Sequence, residues 1–147
     1  LDTLFKGFHQ RTRTSASILI ARNDTILYQN ALGYQNALQK VPLTVHSSFN
    51  LASVSKQFVT MCVMILKEQG KLQYDDLITT YLPQLSYNKV TIRHLMTHTA
   101  GLGDYFALYK KEFPADKVFT NKDFLELYAK HQPPLDFAPG EKYQYSN

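Results

Sequence analysis

The stretch that decides the fold is FNLASVSKQFVTMCVMILKEQG, residues 49–70. Apolar residues fill most positions from Val54 to Leu66, which predicts a helix that is buried almost all round. Gly70 stands where a left-handed C-cap belongs. We therefore expect the longest and most buried helix of the chain here, with Cys62 inside it as a small buried hydrophobic residue.

Upstream of this helix, the pattern predicts a short helix over residues 2–8 and an antiparallel β-hairpin. The hairpin strands are two apolar runs, residues 17–21 and 25–32, separated by the turn residues Asn23-Asp24. Residues 33–44 are expected to form a loop with room for a short strand. Because two strands alone make a poor sheet, strand partners are expected to be missing from this chain.

Downstream, the pattern predicts short helices separated by loops. The expected helices are Asp75–Tyr81, Ile92–Thr97 with Thr91 as its cap, and one that Thr120 and Asp123 cap and that ends before Pro133. Gly101 and Gly103 predict a loop between the last two.

Composition excludes several classes of protein. The net charge is +4, but the basic residues are scattered, which argues against a nucleic-acid partner. No run approaches the ~18 apolar residues of a membrane span. A single cysteine allows no internal disulfide.

Two pairs in the chain have the spacing Ser-x-x-Lys, so spacing alone is a weak indication of catalysis. Ser86 and Lys89 lie in a polar stretch and are expected on a surface loop. Ser53 and Lys56 stand at the start of the buried helix and share one face, close enough for the amine to reach the hydroxyl. The alternative is an ordinary first-turn serine beside a solvated lysine, although a helix N-terminus disfavours a cation.

The pattern Tyr-x-Asn is equally common, at Tyr28/Asn30, Tyr34/Asn36 and Tyr145/Asn147. The first two pairs are expected to serve packing or turns. The third follows a Pro-Gly turn in a loop, where a phenol could carry a proton and an amide could hold substrate or the lysine.

His94 and His98 have a zinc-ligand spacing, but the glutamate of His-Glu-x-x-His is replaced by Leu95. A zinc-binding protein is therefore one alternative, and a loop-bracing role for both histidines is the other. We expect no metal and no cofactor.

Several blocks, in this order, resemble the serine β-lactamase-related family of class C β-lactamases, D-alanyl-D-alanine carboxypeptidases and related esterases. They are residues 49–58, 68–72, 81–83, 91–102 (TIRHLMTHTAGL) and 135–147 (LDFAPG to YQYSN). The resemblance implies an α+β fold of the β-lactamase/transpeptidase type. Residues 1–147 would be the N-terminal part of one catalytic domain, with 1–45 in the α/β region and 46–147 in the catalytic helix and helical region.

The resemblance also implies a role for each matching residue. Ser53 would be acylated, and its backbone N–H would donate to the oxyanion. Lys56 and Tyr145 would handle its proton, and Asn147 would bind substrate. The implied substrates are β-lactams, D-alanyl peptides or esters, and the implied location is periplasmic or secreted.

Two departures qualify this resemblance. Ala100 stands where the family usually has serine, a small change in a bracing loop. The family's third motif and its C-terminal strands lie beyond Asn147, so the missing half of the protein is an expected partner. The alternative is a non-catalytic fragment that acts as a binding or assembly module.

Overall fold

A computed structural model describes residues 1–112 and 118–147. The chain forms two compact units, residues 1–52 and residues 53–147, and each is described by itself. Among residues 1–112 and 118–147, none of the helices has the length and apolar character that a membrane span needs.

The first unit contains a helix and two small antiparallel sheets. Helix α1 spans Asp2–Thr12, longer than predicted, and strands β1 (Ala16–Arg22) and β2 (Thr25–Leu32) form the predicted hairpin. Strands β3 (Tyr34–Asn36) and β4 (Val41–Pro42) pair with each other. The loop expected over residues 33–44 therefore contains a short hairpin.

The first Tyr-x-Asn pair ties α1 to the hairpin. Asp2 Oδ1 accepts hydrogen bonds from the Tyr28 hydroxyl at 3.2 Å and from Asn30 Nδ2 at 2.9 Å. The Tyr28 ring also stacks on Phe5, with 5.5 Å between centroids. These contacts agree with the packing role expected for this pair.

Helix α2 of the second unit spans Ser55–Glu68 and follows a 3₁₀ turn, Ala52–Val54. Gly70 has φ +69°, and the Lys71 N–H bonds to the Leu66 carbonyl at 3.0 Å. This is the left-handed helix end that the sequence predicts.

The expected burial of α2 is wrong for this structure. Phe58 is 58% exposed and Val59 is 63% exposed. Cys62 is exposed as well, so its expected burial is also wrong. The apolar side chains of α2 are suited to packing against other residues. In the described part of the chain, no surface covers most of them.

The rest of the second unit carries short helices: α3 (Ile92–Met96), α4 (Phe106–Glu112) and α5 (Asn121–His131). Thr91 and Thr120 cap α3 and α5 as predicted, each through a capping box. The helix expected over residues 75–81 is only a 3₁₀ turn, Ile78–Thr80. Helix α4 lies in a segment where Gly101 and Gly103 predict a loop, so this part of the predicted loop is wrong.

The core of the second unit packs these short elements together. Its buried members come from the 3₁₀ turn, the loops and α5: Ile78, Leu85, Tyr87, Val90, Ala100 and Tyr128. The Tyr128 hydroxyl donates to the Gly103 carbonyl at 2.6 Å, and Tyr87 donates to the Pro133 carbonyl at 2.8 Å. Buried phenols thus satisfy loop carbonyls, and burial raises the pKa of Tyr128.

We expect Tyr128→Phe to lower the free energy of unfolding by about 1–3 kcal/mol, because the Gly103 carbonyl loses its buried donor. Denaturant unfolding of the full-length protein would measure this change. Tyr143→Phe is the matched control, since Tyr143 is 67% exposed, and its effect should stay within about 0.5 kcal/mol. Equal effects of the two substitutions would contradict the importance of the Tyr128 bond.

Candidate active site

The candidate site begins at the mouth of α2, where Ser53 sits in the 3₁₀ turn and Lys56 in the first turn of the helix. Lys56 Nζ lies 3.3 Å from Ser53 Oγ and donates to it. Ser53 is exposed and Lys56 is half-buried. Ala52, the residue before the serine, has φ +44°, a conformation that costs free energy for a residue other than glycine.

Tyr145 meets this pair from the end of the chain. Its hydroxyl donates to Ser53 Oγ at 2.6 Å. Lys56 Nζ lies 4.9 Å from the centre of the Tyr145 ring, within the range of a cation–π contact. The structure therefore brings an alcohol, an amine and a phenol together at one helix start.

Asn147 and Asp104 extend the cluster. Lys56 Nζ donates to Asn147 Oδ1 at 2.7 Å, and Asn147 Nδ2 donates to Asp104 Oδ2 at 2.8 Å. Asp104 Oδ1 accepts the N–H of Phe106, the first residue of α4, at 3.0 Å. All four candidate residues from the sequence are therefore joined by hydrogen bonds, and Asp104 is an addition that the sequence analysis missed.

A pair of loop segments positions Tyr145 and Asn147. Residues 98–101 accept four hydrogen bonds from residues 136–146. The bonds run from the Asp136 N–H to Gly101 O, from Gly140 N–H to Thr99 O, from Gln144 N–H to His98 O, and from Ser146 N–H to His98 Nδ1. Gly101 has φ +76°, and an added Cβ would lie 2.3 Å from the Phe137 carbonyl oxygen, so only glycine fits there.

The two histidines serve these segments. His98 stacks on the Tyr145 ring, with 4.5 Å between centroids, and its Nδ1 accepts the Ser146 N–H. His94 Nδ1 accepts the Thr91 N–H and completes the capping box of α3. Both contacts agree with loop bracing, and the described residues contain no group of three or more potential metal ligands.

The electrostatics of the cluster favour ionisation of the phenol. The hydrogen bond from Lys56, the one to Ser53, and the positive charge of Lys56 lower the pKa of Tyr145. Partial burial of the phenol and the negative charge of Asp104 act on the pKa of Tyr145 in the opposite direction. The ionised phenol of Tyr145 can therefore take the proton of the Ser53 hydroxyl. Because Ser53 is exposed, an acyl group can reach this hydroxyl from solvent.

Comparison with known proteins gives the same family over the whole chain. A family model described as Beta-lactamase matches residues 1–147. The chain is 35% identical to a penicillin-binding protein of Bacillus subtilis over its full length, and 33% identical to the esterase EstB of Burkholderia gladioli over 99% of its length. It spans only 33% and 41% of these two relatives.

A solved structure supports the fold. The penicillin-binding protein of Bacillus halodurans superposes with a TM-score of 0.80 and 32% identity, over 95% of this chain and 43% of that one. The α+β fold of the β-lactamase/transpeptidase type expected from the sequence is thus confirmed, as part of a larger fold. This 147-residue chain belongs to the beta-lactamase family.

Proposed function

We propose that the intact protein is a serine hydrolase that acts through an acyl-enzyme on Ser53. The single observation that carries this proposal is the position of Ser53 Oγ, 2.6 Å from the Tyr145 hydroxyl and 3.3 Å from Lys56 Nζ. The relatives named a penicillin-binding protein and an esterase support the same class of reaction.

In the proposed reaction, Tyr145 as phenolate takes the proton of Ser53 while Oγ forms a bond to the carbonyl carbon of the substrate. The Ser53 backbone N–H donates to the resulting oxyanion, an interaction worth about 3–4 kcal/mol per donor in such sites. When the tetrahedral intermediate collapses, Tyr145 returns the proton to the leaving group. Water then attacks the ester through the reverse sequence and frees Ser53.

Lys56 acts in this proposal as a cation beside the base. Its Nζ donates to Ser53 Oγ and to Asn147 Oδ1. A positive charge there stabilises the Tyr145 phenolate. Asn147 holds the lysine and, in this proposal, also binds substrate.

The proposed substrates are β-lactams, D-alanyl peptides or esters, because one nucleophile apparatus can attack all three types of carbonyl. Parallel assays of the full-length protein with a chromogenic cephalosporin, a D-alanyl-D-alanine peptide and a p-nitrophenyl ester would rank them. The proposal includes a periplasmic or secreted location, which cell fractionation would test. It concerns the intact protein, because this chain spans only 33% and 41% of the two relatives.

We expect a fluorophosphonate to label wild-type full-length protein on Ser53 and to label Ser53→Ala at least about 1,000-fold more slowly, because the nucleophile is gone. Intact mass and peptide mapping would locate the label. The matched control is Ser55→Ala, which removes an exposed hydroxyl two residues away and should label like wild type. Equal labelling of Ser53→Ala and wild type would rule out Ser53 as the nucleophile.

We expect Tyr145 to titrate below the ordinary phenol value of about 10, since Lys56 and Ser53 lower its pKa. Below that pKa the phenol is protonated and cannot accept the serine proton, so kcat/KM should rise with pH through it. ¹³C NMR of tyrosines labelled at Cζ would follow the titration, with Tyr145→Phe assigning the signal.

Lys56→Met removes the cation and should move the Tyr145 pKa upward, toward the ordinary value. An unchanged Tyr145 titration in this variant would contradict the role given to Lys56. Loss of activity alone would not settle the point, because Lys56 also contacts Ser53.

A further inference from the structure

Asp104 makes a hydrogen bond to Asn147 but to neither Ser53 nor Tyr145. We propose that Asp104 is a positioning residue: its carboxylate fixes the orientation of the Asn147 amide, and the amide oxygen in turn holds Lys56 beside Ser53. This inference rests on the proposed function, since Lys56 matters only if Ser53 reacts.

The hydrogen-bonding groups differ along the chain of contacts from Lys56 through Asn147 to Asp104. An ammonium group only donates, and an ionised carboxylate only accepts. The Asn147 amide lies between them and has one accepting end and one donating end. Its oxygen is 2.7 Å from Lys56 Nζ, and its nitrogen is 2.8 Å from Asp104 Oδ2. Only this orientation of the amide satisfies both neighbours.

The opposite orientation is doubly unfavourable. A flip of the amide by 180° would place its NH₂ group against the Lys56 ammonium and its oxygen against the Asp104 carboxylate. Hydrogen bonds that involve an ionised partner are roughly twice as strong as neutral ones, so the flip exchanges two strong attractions for two repulsions. Without Asp104, only the bond to Lys56 would hold the amide.

Asp104 is itself held in place. Its Oδ1 accepts the Phe106 N–H at 3.0 Å, which leaves Oδ2 for Asn147. The adjacent Gly103 is anchored by the buried Tyr128, through the 2.6 Å bond to its carbonyl. These two bonds fix the position of the Asp104 carboxylate, which can then set the orientation of the Asn147 amide.

The first test is the rate at which a fluorophosphonate labels Ser53 in the full-length protein, with Asp104→Asn compared with wild type. The introduced amide has one oxygen for two N–H groups, so one of them loses its acceptor. We expect labelling to slow by about 10- to 100-fold, the scale that misplacement of a reacting group costs. Asp75→Asn is the matched control: Asp75 pairs with Arg93 on the surface, and this variant should label at the wild-type rate.

A rescue variant separates positioning from general damage to the loop. In Asp104→Asn combined with Asn147→Asp, the new amide at position 104 can accept from Phe106 and donate to the new carboxylate at position 147. That carboxylate can then accept from Lys56. We expect the double variant to recover most of the lost rate, whereas a double variant as slow as Asp104→Asn would overturn the inference.

A serine variant tests whether Asp104 serves only as a cap for α4. The hydroxyl in Asp104→Ser can still accept the Phe106 N–H, but it is too short to reach Asn147. Positioning predicts that this variant is as slow as Asp104→Asn, and a wild-type rate would overturn it. In ¹⁵N NMR, the Asn147 side-chain amide, assigned through Asn147→Asp, should shift in both single Asp104 variants.

These outcomes distinguish the inference from the function on which it rests. A wild-type protein that is not labelled on Ser53 would overturn both. Equal labelling rates for wild type and Asp104→Asn would overturn the inference alone and leave the proposed function standing.

Discussion

The site depends on the hydrogen bonds between residues 98–101 and the segment 136–146. Tyr145 lies 92 positions from Ser53 in the sequence, and Asn147 lies 91 positions from Lys56. Closing so long a loop has an entropic cost. Four bonds to the 98–101 segment, each with a net value of about 1 kcal/mol, help to offset it. They also fix the direction from which the phenol approaches the serine.

Residues 98–101 occupy positions that other residues would not fill equally well. Gly101 must be glycine because the Phe137 carbonyl occupies the space of a side chain. Ala100 is buried in the core of the second unit, at 6% exposure. His98 uses both its backbone oxygen and its ring, and it supports Tyr145 by stacking. Residues 98–102 (HTAGL) thus hold the segment that carries Tyr145 and Asn147 in place.

The sequence predicts a structural feature correctly where the interacting residues are only a few positions apart. The hairpin, the two threonine caps and the glycine at the end of α2 all follow from short-range hydrogen bonding and backbone preference. Helix α4 was hidden because its start follows two glycines, although Asp104 before it is a typical capping residue. Asp104 could have been noticed as a cap, but its contact with Asn147 is 43 positions distant and has no local sequence pattern.

The predicted burial of α2 is wrong for a different reason. The apolar pattern shows that nearly every face of the helix is suited to packing, whereas the exposure of each side chain depends on the residues that surround it. Lys56, Thr60 and Val63 are half-buried along one face, and most of the other apolar side chains lie open. The half-buried face carries Lys56, so the part of the helix that is covered is the part that supports the site.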